Sequence, residues 1–521
     1  MIFSSPLPDI DVPGVSVPQS VMEGFGAAGD KPAIIDAPSG RTLTYSQLAT
    51  QVRRMAVGLR ERGLRKGDVF AILLPNVPEY ATTFLGVTLV GGVATTMNPL
   101  LTAAEIAHQL RDTRASFLLT IAPLAERARE AIEGTDVREL FVIGDADAGT
   151  PFDALLARDG PLPQVAIDPR EDLLALPYSS GTSGLPKGVM LTHYSVLAQL
   201  RQCEVMFGDG EAHCSIAVAP FFHILGMVLI LLARLKAGDT IVAMPRFDFE
   251  QFLDSVQRYR VTQASLVPPI VVALAKHPAV DRYDLSSLRW MSCGAAPLGA
   301  DIEQACADRI GCIVFQGWGM SELSGAATTN LLDPQRIKRG SCGLLWPNMQ
   351  AKIVDVGDGS ELGPNAQGEI WIRGPIVMKG YLNNPEATRN TLLPDGWMRT
   401  GDIGSFDDDG HLHVVDRVKE LIKYNAYAIA PAELEAVLVT HPAVVEAAVV
   451  ASPHDEHGEV PKAYVVARSA VSADELIAYV AERVAAYKKV RRVEFVEAIP
   501  KSASGKLLRR LLVERERSQR R

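Results

Sequence analysis

Apolar residues recur with a helical period early in the chain. In the stretch LTYSQLATQVRRMAVGLRERG, the residues Leu48, Val52, Met55 and Leu59 follow one another at intervals of three or four. Such spacing places them on one face of a helix. Thr44 stands just before the pattern, where a side-chain hydroxyl can cap the first turn. We therefore expect a helix that begins after Thr44 and buries this face.

Strand-like runs alternate with such helices through the first 170 residues. The stretch KGDVFAILLPN is a continuous apolar run bounded by turn residues, which is typical of a buried strand. Thr102 and Glu105 follow with the spacing of a capping box, which predicts the start of the next helix. Repeated strand and helix alternation indicates a parallel sheet covered by helices, so we expect an α/β fold.

The pattern changes toward the C-terminus. Residues 368–388 and 410–422 contain short apolar runs separated by turn residues, as in β-rich regions. A helical segment then precedes a strand-like one within residues 430–452. We expect a large N-terminal domain (1–418), with mixed or parallel sheets, flanking helices and a β-rich subdomain, and a small α+β C-terminal domain (419–521).

One apolar segment, Cys214–Ala233, is long enough to span a bilayer and contains no Asp, Glu, Lys or Arg. Pro220, His223 and Gly226 interrupt it. These interruptions favour a buried strand, a turn and the start of a core helix over a transmembrane segment.

Composition narrows the class of protein. The 521 residues include 47% hydrophobic residues and have a net charge of -9, with a sequence pI near 5.7. A nucleic-acid-binding protein needs a basic surface, so this acidic balance argues against that class. The six cysteines show no metal-ligand spacing, and the N-terminus lacks the basic start and apolar run of a signal peptide. We expect a soluble cytoplasmic protein whose thiols are free.

The stretch SSGTSGLPKG, residues 179–188, has the composition of a phosphate-binding loop but is not a P-loop. Pro186 occupies the position of the second P-loop glycine, Gly188 replaces the hydroxyl residue, and the loop lies between two predicted strands. Hydroxyl groups, close-approaching backbone and one cation still form a candidate polyphosphate clamp. Its residues are Ser179, Ser180, Gly181, Thr182, Ser183 and Lys187.

This loop and five further motifs together resemble the adenylate-forming superfamily of acyl-CoA synthetases, luciferases and peptide-synthetase adenylation domains. Within it, the chain is most similar to the 4-coumarate:CoA ligase-like group. The further motifs, in chain order, are FFHILG (221–226), QGWGMSE (316–322), RTGDIG (399–404), DRVKELIK (416–423) and PKSASGK (500–506).

The resemblance implies a two-step reaction: an acid and ATP form an acyl-adenylate and pyrophosphate, and coenzyme A then accepts the acyl group. It assigns Thr182 and Glu322 to Mg²⁺ and the outer phosphates, and Ser321 to the AMP phosphate. Lys506 would bridge the substrate carboxylate and the α-phosphate. Positive charge at this point would bring two anions together.

For the rest of the nucleotide, the resemblance assigns Asp402 to the ribose hydroxyls with Arg417 as its cationic partner. Gln316, Gly317 and Trp318 would line the adenine and acyl site. Trp318 and Ser321 depart from the Tyr and Thr that related enzymes usually have, and we expect the larger indole to narrow or reshape the acyl pocket.

The acyl pocket implied by the resemblance contains His223 as a gate beside the carboxylate, with Gly294 and Ala295 in a second wall. Leu225 stands where coumarate-activating relatives often have Tyr. Because Leu offers no hydrogen bond to a phenolic hydroxyl, we expect an apolar cinnamate-like or fatty acid as substrate.

The resemblance also implies that the C-terminal domain is mobile, rotates about Lys419, and presents Lys423 to the adenylate for thiol transfer. The following segment departs from related ligases at three positions: Asn425 replaces Lys, Ala426 replaces Gly and Ala428 replaces Gln. Asn425, Ala426 and Arg246 are candidate contacts of coenzyme A, and Ala428 removes a polar contact expected in the thiol-accepting state.

The departures leave alternatives open. One is an acyl-AMP ligase that loads the phosphopantetheine arm of a carrier protein. Another is a catalytically inactive nucleotide-binding relative, against which the joint presence of Lys506, Glu322, Asp402 and Arg417 argues. A luciferase-type oxygenase rests on the resemblance only. The identity of the acid and the oligomeric state do not follow from the sequence.

Overall fold

The structure is a computed structural model and describes residues 1–145, 149–179, 186–424, 427–454, 457–502 and 507–519. These residues form four sheets with helices packed around them. The α-helices are Val17–Met22, Phe25–Ala28, Tyr45–Glu61, Glu79–Leu89, Ala103–Thr113, Ala125–Ile132, Asp153–Leu156, His193–Phe207, Ala233–Lys236, Phe249–Tyr259, Pro268–Lys276, Ala300–Ile310, Pro385–Thr391, Pro431–Thr440, Ala473–Ala481 and Arg509–Gln519.

The first sheet comes mainly from the first 200 residues. Its central strands are parallel, while at one edge Lys187–Thr192 pairs antiparallel with both Tyr178–Ser179 and Gly380–Tyr381. Ser179 and Lys187, at the two ends of the candidate phosphate loop, lie in these strands. The other strands, in spatial order from that edge, are Leu173–Ala175, Val93–Thr96, Val69–Leu73, Phe117–Ile121, Glu139–Ile143 and Thr150–Pro151.

The second sheet has a parallel centre and antiparallel ends. Its strand Ile313–Met320 contains most of the QGWGMSE motif and pairs on one side with Trp290–Cys293, which leads into the predicted second wall of the acyl pocket. On the side of Ile313–Met320, the sheet continues with Gly325–Thr329 and ends with Leu344–Leu345. On the side of Trp290–Cys293, it continues in spatial order with Gln263–Leu266, Cys214–Ala217, Thr240–Ala243, Pro32–Asp36 and Thr42–Thr44.

The third sheet is antiparallel and is the predicted β-rich subdomain. Its strands Met398–Phe406 and Leu412–Arg417 pair so that Asp402 lies opposite Arg417. This register brings the two residues of separate motifs together. The other strands are Phe3–Ser4, Gln350–Val354, Glu361–Leu362 and Gly368–Arg373.

The fourth sheet belongs to the C-terminal part of the chain. Its strands, in spatial order, are Tyr427–Ile429, Ile422–Tyr424, Gly458–Ala467 and Val444–His454, with Arg492–Phe495 paired to Gly458–Ala467. Hydrogen bonds join the helix Pro431–Thr440 to the N-terminal part. Asp416 Oδ2 accepts a hydrogen bond of 2.9 Å from the backbone N–H of Ala432, and Lys276 Nζ donates one of 3.0 Å to the carbonyl oxygen of Val439.

Several expectations about local structure are confirmed. The helix Tyr45–Glu61 begins after a capping box formed by Thr44 and Gln47, and its predicted apolar face is fully buried. A second capping box joins Thr102 and Glu105. The α/β class, with a large N-terminal part and a small C-terminal part, is confirmed as well.

The long apolar segment is part of the interior, as expected. It contains the strand Cys214–Ala217, a turn at His223 and a mostly buried π-helix, Leu225–Leu232. Across the described ranges of the chain, no helix is long and apolar enough to cross a membrane.

Candidate active site

The strand and turn that contain the QGWGMSE motif lie at the centre of the candidate site. The strand ends at Met320, and a 3-10 turn, Ser321–Leu323, follows. Gly319 is required by packing, because a Cβ there would lie 2.0 Å from the carbonyl oxygen of Gly325 on the neighbouring strand. At Gly317 a Cβ would lie 2.7 Å from Cγ2 of Thr329. The glycines thus let the two strands approach closely.

Glu322 forms the end of the site nearest the phosphate loop. Its side chain is 6% exposed, and its Oε1 atom accepts hydrogen bonds of 2.9 Å from the hydroxyls of Ser179 and Tyr381. Within the described part of the chain, no Lys or Arg forms a salt bridge with Glu322, and its second oxygen, Oε2, accepts no hydrogen bond. The carboxylate is therefore aligned by neutral donors and keeps one oxygen for another ligand.

Tyr381 is a site residue that the sequence analysis missed. Its pKa is raised by burial and by the adjacent Glu322 carboxylate, so the hydroxyl stays protonated and donates. Lys187 Nζ lies 4.7 Å from the centre of the Tyr381 ring, a cation–π distance. The short pairing of Gly380–Tyr381 with the Lys187–Thr192 strand creates this arrangement. No local motif marks Tyr381, so only the strand pairing identifies it.

Asp402 forms the opposite end of the site. Its Oδ1 atom lies 3.4 Å from Nε of Arg417, and its Oδ2 atom accepts a hydrogen bond of 2.8 Å from the indole N–H of Trp318. The predicted partnership of Asp402 and Arg417 is present in the structure. The contact with Trp318 was not anticipated, because the indole was expected to line the adenine and acyl site rather than to bind Asp402.

Gln316 is held inside the protein by three hydrogen bonds. Its Oε1 atom accepts from the N–H of Leu298 at 2.9 Å, and its Nε2 atom donates to the Leu298 carbonyl at 3.0 Å and to Glu303 Oε2 at 2.7 Å. Glu303 is fully buried and also accepts from Arg339 and from the N–H of Gly340. The amide side chain thereby holds the backbone of Leu298 in place. The contact of Gln316 with a ligand stays a prediction.

The two predicted walls of the acyl pocket are both attached to the central motif. Leu225 packs against the hydrophobic cluster that includes Trp318, and a Cβ at Gly294 would lie 3.6 Å from the carbonyl oxygen of Gly317. Ala295 has a left-handed backbone with φ of 71°, which is uncommon for a residue other than glycine. His223 is half-buried in the turn before the π-helix, and its Nδ1 atom accepts from the N–H of Leu225 at 3.4 Å.

Some of the remaining predicted residues are described by the structure, and others lie outside the described ranges. Ser321 is half-buried at the start of the 3-10 turn, whereas Arg246, Lys419 and Lys423 are exposed, and Arg246 lies on the loop before the helix Phe249–Tyr259. Other predicted positions lie outside the described residues: Ser180, Gly181, Thr182, Ser183, Asn425, Ala426 and Lys506. For Ala428 only the backbone strand is described.

The oxygen atoms near Glu322 can be compared with the ligands that a divalent cation prefers. Mg²⁺ prefers oxygen ligands and is usually bound through one or two carboxylates together with substrate phosphates. Glu322 offers one carboxylate, buried and not neutralised by a salt bridge among the described residues. The residues present therefore fit Mg²⁺.

Two family profiles match this chain in consecutive ranges. The family profile described as "AMP-binding enzyme" matches residues 24–382, and the profile "AMP-binding enzyme C-terminal domain" matches residues 433–506. The predicted domain boundary at residue 418 falls between the two matched ranges and stays a prediction.

Individual relatives match over almost the whole chain. A 4-coumarate–CoA ligase of Petroselinum crispum is 42% identical over 98% of this chain and 96% of its own length. The crystal structure of an anthranilate CoA ligase in complex with anthranoyl-AMP has a TM-score of 0.89, 26% identity, and coverage of 97% of this chain and 98% of its own. An amide bond synthetase from Marinactinospora thermotolerans has a TM-score of 0.85, 30% identity, and coverage of 96% and 99%.

Proposed function

The chain belongs to the AMP-binding enzyme family, and from this premise we propose that it is an ATP-dependent carboxylic acid:CoA ligase of the AMP-forming type. The resemblance found in the sequence motifs is confirmed by the family profiles. The ligase class expected from those motifs agrees with the 4-coumarate–CoA ligases, which match this chain at 42% identity over nearly its full length.

One observation supports the proposal more than any other. The short segment 318–322 contacts two other motifs at once: Trp318 binds Asp402 of the TGD motif, and Glu322 binds Ser179 of the phosphate loop. A nucleotide placed along this segment would have its ribose at Asp402 and its outer phosphates at Glu322. Ser321 lies between the two ends and could donate to the α-phosphate.

The proposed chemistry follows from this order. The carboxylate of the acid attacks the α-phosphorus of ATP, the bond between the α- and β-phosphates breaks, and pyrophosphate leaves. The sulfur of coenzyme A then attacks the acyl carbon, AMP leaves, and the thiol proton passes to solvent. The net products are the acyl-CoA thioester, AMP and pyrophosphate.

The reaction needs positive charge near the phosphates of ATP and near the substrate carboxylate, because all of these groups are anions. Mg²⁺ bound by Glu322, and by Thr182 as the motif implies, would offset the charge of the leaving pyrophosphate. Lys187 is held beside Tyr381 at the end of the loop. Lys506 would offset the charge of the two reacting anions, and Lys423 would contact the adenylate in the second step.

The proposed substrate is an apolar aryl acid, such as a cinnamate, or a fatty acid. Leu225 and Trp318 belong to one continuous apolar region, which offers few hydrogen bonds to a polar ring substituent. A hydrophobic pocket distinguishes acids chiefly by size, with about 1–3 kcal/mol for each methylene that fits or fails to fit. A panel of cinnamates, benzoates and fatty acids therefore identifies the acid.

A second candidate function changes only the acceptor. Asn425, Ala426 and Ala428 depart from the residues that related CoA ligases have, which favours a carrier-protein phosphopantetheine arm as the thiol. The similarity to an amide bond synthetase illustrates that this fold also occurs in a protein named for a different bond.

The proposal is tested by pyrophosphate release with the acid panel, followed by thioester detection with coenzyme A and with a holo carrier protein. We expect pyrophosphate release with an apolar acid, loss of this release in Lys506→Ala, and retained use of preformed acyl-adenylate by that variant. Unchanged adenylation in Lys506→Ala would refute the assigned role of this lysine. An absence of pyrophosphate release with every acid would refute the ligase assignment.

A further inference from the structure

The hydrogen bond from Trp318 to Asp402 indicates a role for the indole in addition to lining the acyl pocket. Trp318 is 7% exposed and Asp402 is 8% exposed, and the indole N–H donates to Oδ2 at 2.8 Å. An indole nitrogen is a donor only. At a carboxylate the indole can therefore only donate, and this bond constrains the direction in which the Asp402 carboxylate points.

The two oxygens of Asp402 have different partners. Arg417 Nε lies 3.4 Å from Oδ1, on the opposite oxygen from the indole. The terminal torsion of an aspartate side chain is soft and nearly two-fold, so one contact alone leaves the carboxylate plane free to turn. Contacts on both oxygens hold that plane. A carboxylate offers about four lone-pair sites, so a carboxylate held in this plane can also accept from a ligand's hydroxyl groups.

Trp318 and Asp402 both lie on strands that pair with a neighbouring strand. Trp318 lies on the strand Ile313–Met320, at an irregularity of its pairing with Gly325–Thr329. Asp402 lies on Met398–Phe406, opposite Arg417. The indole thus connects two different sheets at the point where the proposed ribose site begins.

We propose that Trp318 is a positioning residue that orients the Asp402 carboxylate to accept the ribose hydroxyls of ATP. This inference rests on the proposed function, because it concerns the same nucleotide site. Trp318 occupies the position where related enzymes usually have Tyr, so the orientation of Asp402 by an indole is a property of this chain. The same ring packs in the hydrophobic cluster that Leu225 contacts, so one side chain borders both the acyl region and the ribose acceptor.

The test compares three nucleotides: ATP, 2′-deoxy-ATP and 3′-deoxy-ATP. Trp318→Phe removes the N–H and keeps an aromatic ring. Pyrophosphate release is measured with each nucleotide varied at a saturating concentration of an acid that the wild type uses, and with that acid varied at saturating ATP. We expect kcat/KM for ATP to fall roughly tenfold, chiefly through KM, because a buried carboxylate loses a donor. The loss should be several-fold smaller for the deoxynucleotide that lacks the hydroxyl bound by Asp402.

A matched control separates this effect from a general loss of stability. Trp346 is a fully buried indole that donates to Thr329 Oγ1 at 3.0 Å, outside the proposed site. Trp346→Phe should leave the preference for ATP over both deoxynucleotides unchanged, even if the variant melts at a lower temperature. In an Asp402→Ala background, Trp318→Phe should no longer alter that preference, since coupled residues give non-additive effects.

Two results would overturn the inference. One is an equal loss on all three nucleotides in Trp318→Phe. The other is a change confined to the KM of the acid, which would leave the indole as a pocket wall only. If the wild type released no pyrophosphate with any acid, the ligase assignment would fail instead. Calorimetric binding of ATP and the two deoxynucleotides to the same variants would then test the ribose role independently of catalysis.

Discussion

Glu322 and Asp402 are two carboxylates of similar burial in one site, and their surroundings differ in charge. Among the described residues, the donors to Glu322 are the neutral hydroxyls of Ser179 and Tyr381. Asp402 instead lies beside the guanidinium of Arg417 and accepts from the indole of Trp318. The first is oriented without being neutralised, whereas the second is oriented and largely neutralised.

This difference indicates different ligands. A buried carboxylate without a cationic partner is costly, and a bound metal ion can offset that cost. A carboxylate that already has a cationic partner attracts a second cation only weakly, but it can still accept hydrogen bonds from hydroxyl groups. Glu322 is therefore suited to Mg²⁺ with phosphates, and Asp402 is suited to a ribose.

The largest effect is expected from Glu322→Gln. The amide keeps the shape but removes the charge, so pyrophosphate release should fall about 100-fold or more, with a higher Mg²⁺ concentration needed for half-maximal rate. A Mg²⁺ titration of pyrophosphate release measures both changes. Glu171→Gln, at an exposed carboxylate paired with Lys379, is the control and should behave like the wild type. An unchanged Mg²⁺ dependence in Glu322→Gln would contradict the proposed metal role.

Asp402→Asn should have the next largest effect and a different kinetic signature. It weakens charge-assisted bonds to the ribose and leaves Arg417 without its partner, so the KM for ATP should rise about 10- to 100-fold. The Mg²⁺ dependence should stay close to that of the wild type. Steady-state kinetics at varied ATP and varied Mg²⁺ distinguish the two carboxylates, and identical signatures for both variants would remove the distinction drawn between them.

A third carboxylate, Glu303, extends the comparison to a residue that binds the side chain of Gln316. It is fully buried and is bound by Arg339, Gln316 and the N–H of Gly340. Glu303→Gln should lower the free energy of unfolding by about 2 kcal/mol, since Arg339 would lose its buried partner. Thermal denaturation measures the loss.

The control for this variant is Asp409→Asn, which breaks an exposed pair with Lys338 and should cost less than about 1 kcal/mol. Equal melting temperatures for the two variants would mean that Glu303 contributes no more than a surface charge.

The smallest effects concern the two hydroxyls that orient Glu322. Tyr381→Phe and Ser179→Ala each remove one donor of 2.9 Å to the same oxygen, Oε1. We expect each to lower kcat/KM about three- to tenfold, because a single hydrogen bond contributes about 1 kcal/mol. The double variant should lose more than the product of the two single losses, since Glu322 would then have no donor among its described neighbours. Strict additivity would show that the hydroxyls act independently.

Much of the local structure was predictable because it depends on short-range chemistry. The helix after Thr44 needed only a capping residue and four apolar positions with a helical period. The α/β class followed from strand and helix alternation, and the pairing of Asp402 with Arg417 was anticipated from the resemblance.

Other contacts of the site were not predictable from local pattern. Tyr381 has no motif that marks it, and its contact with Glu322 depends on a short antiparallel pairing at the edge of the first sheet. The hydrogen bonds of the Gln316 side chain to Leu298 and Glu303 were not anticipated either, and its ligand contact stays a prediction. Side-chain direction on a strand depends on which neighbours approach, and residue type alone does not reveal these.

The sequence by itself determined the order of the motifs, the α/β class and the types of chemical group available, because these depend on composition and on spacing along the chain. Only the tertiary structure decided how those groups are paired. Trp318 and Asp402 lie 84 positions apart, and they meet because two sheets place their strands side by side. The same packing left Glu322 without a salt bridge among the described residues and gave one to Asp402. The strength of charge interactions depends on distance and burial, and both are properties of the folded chain.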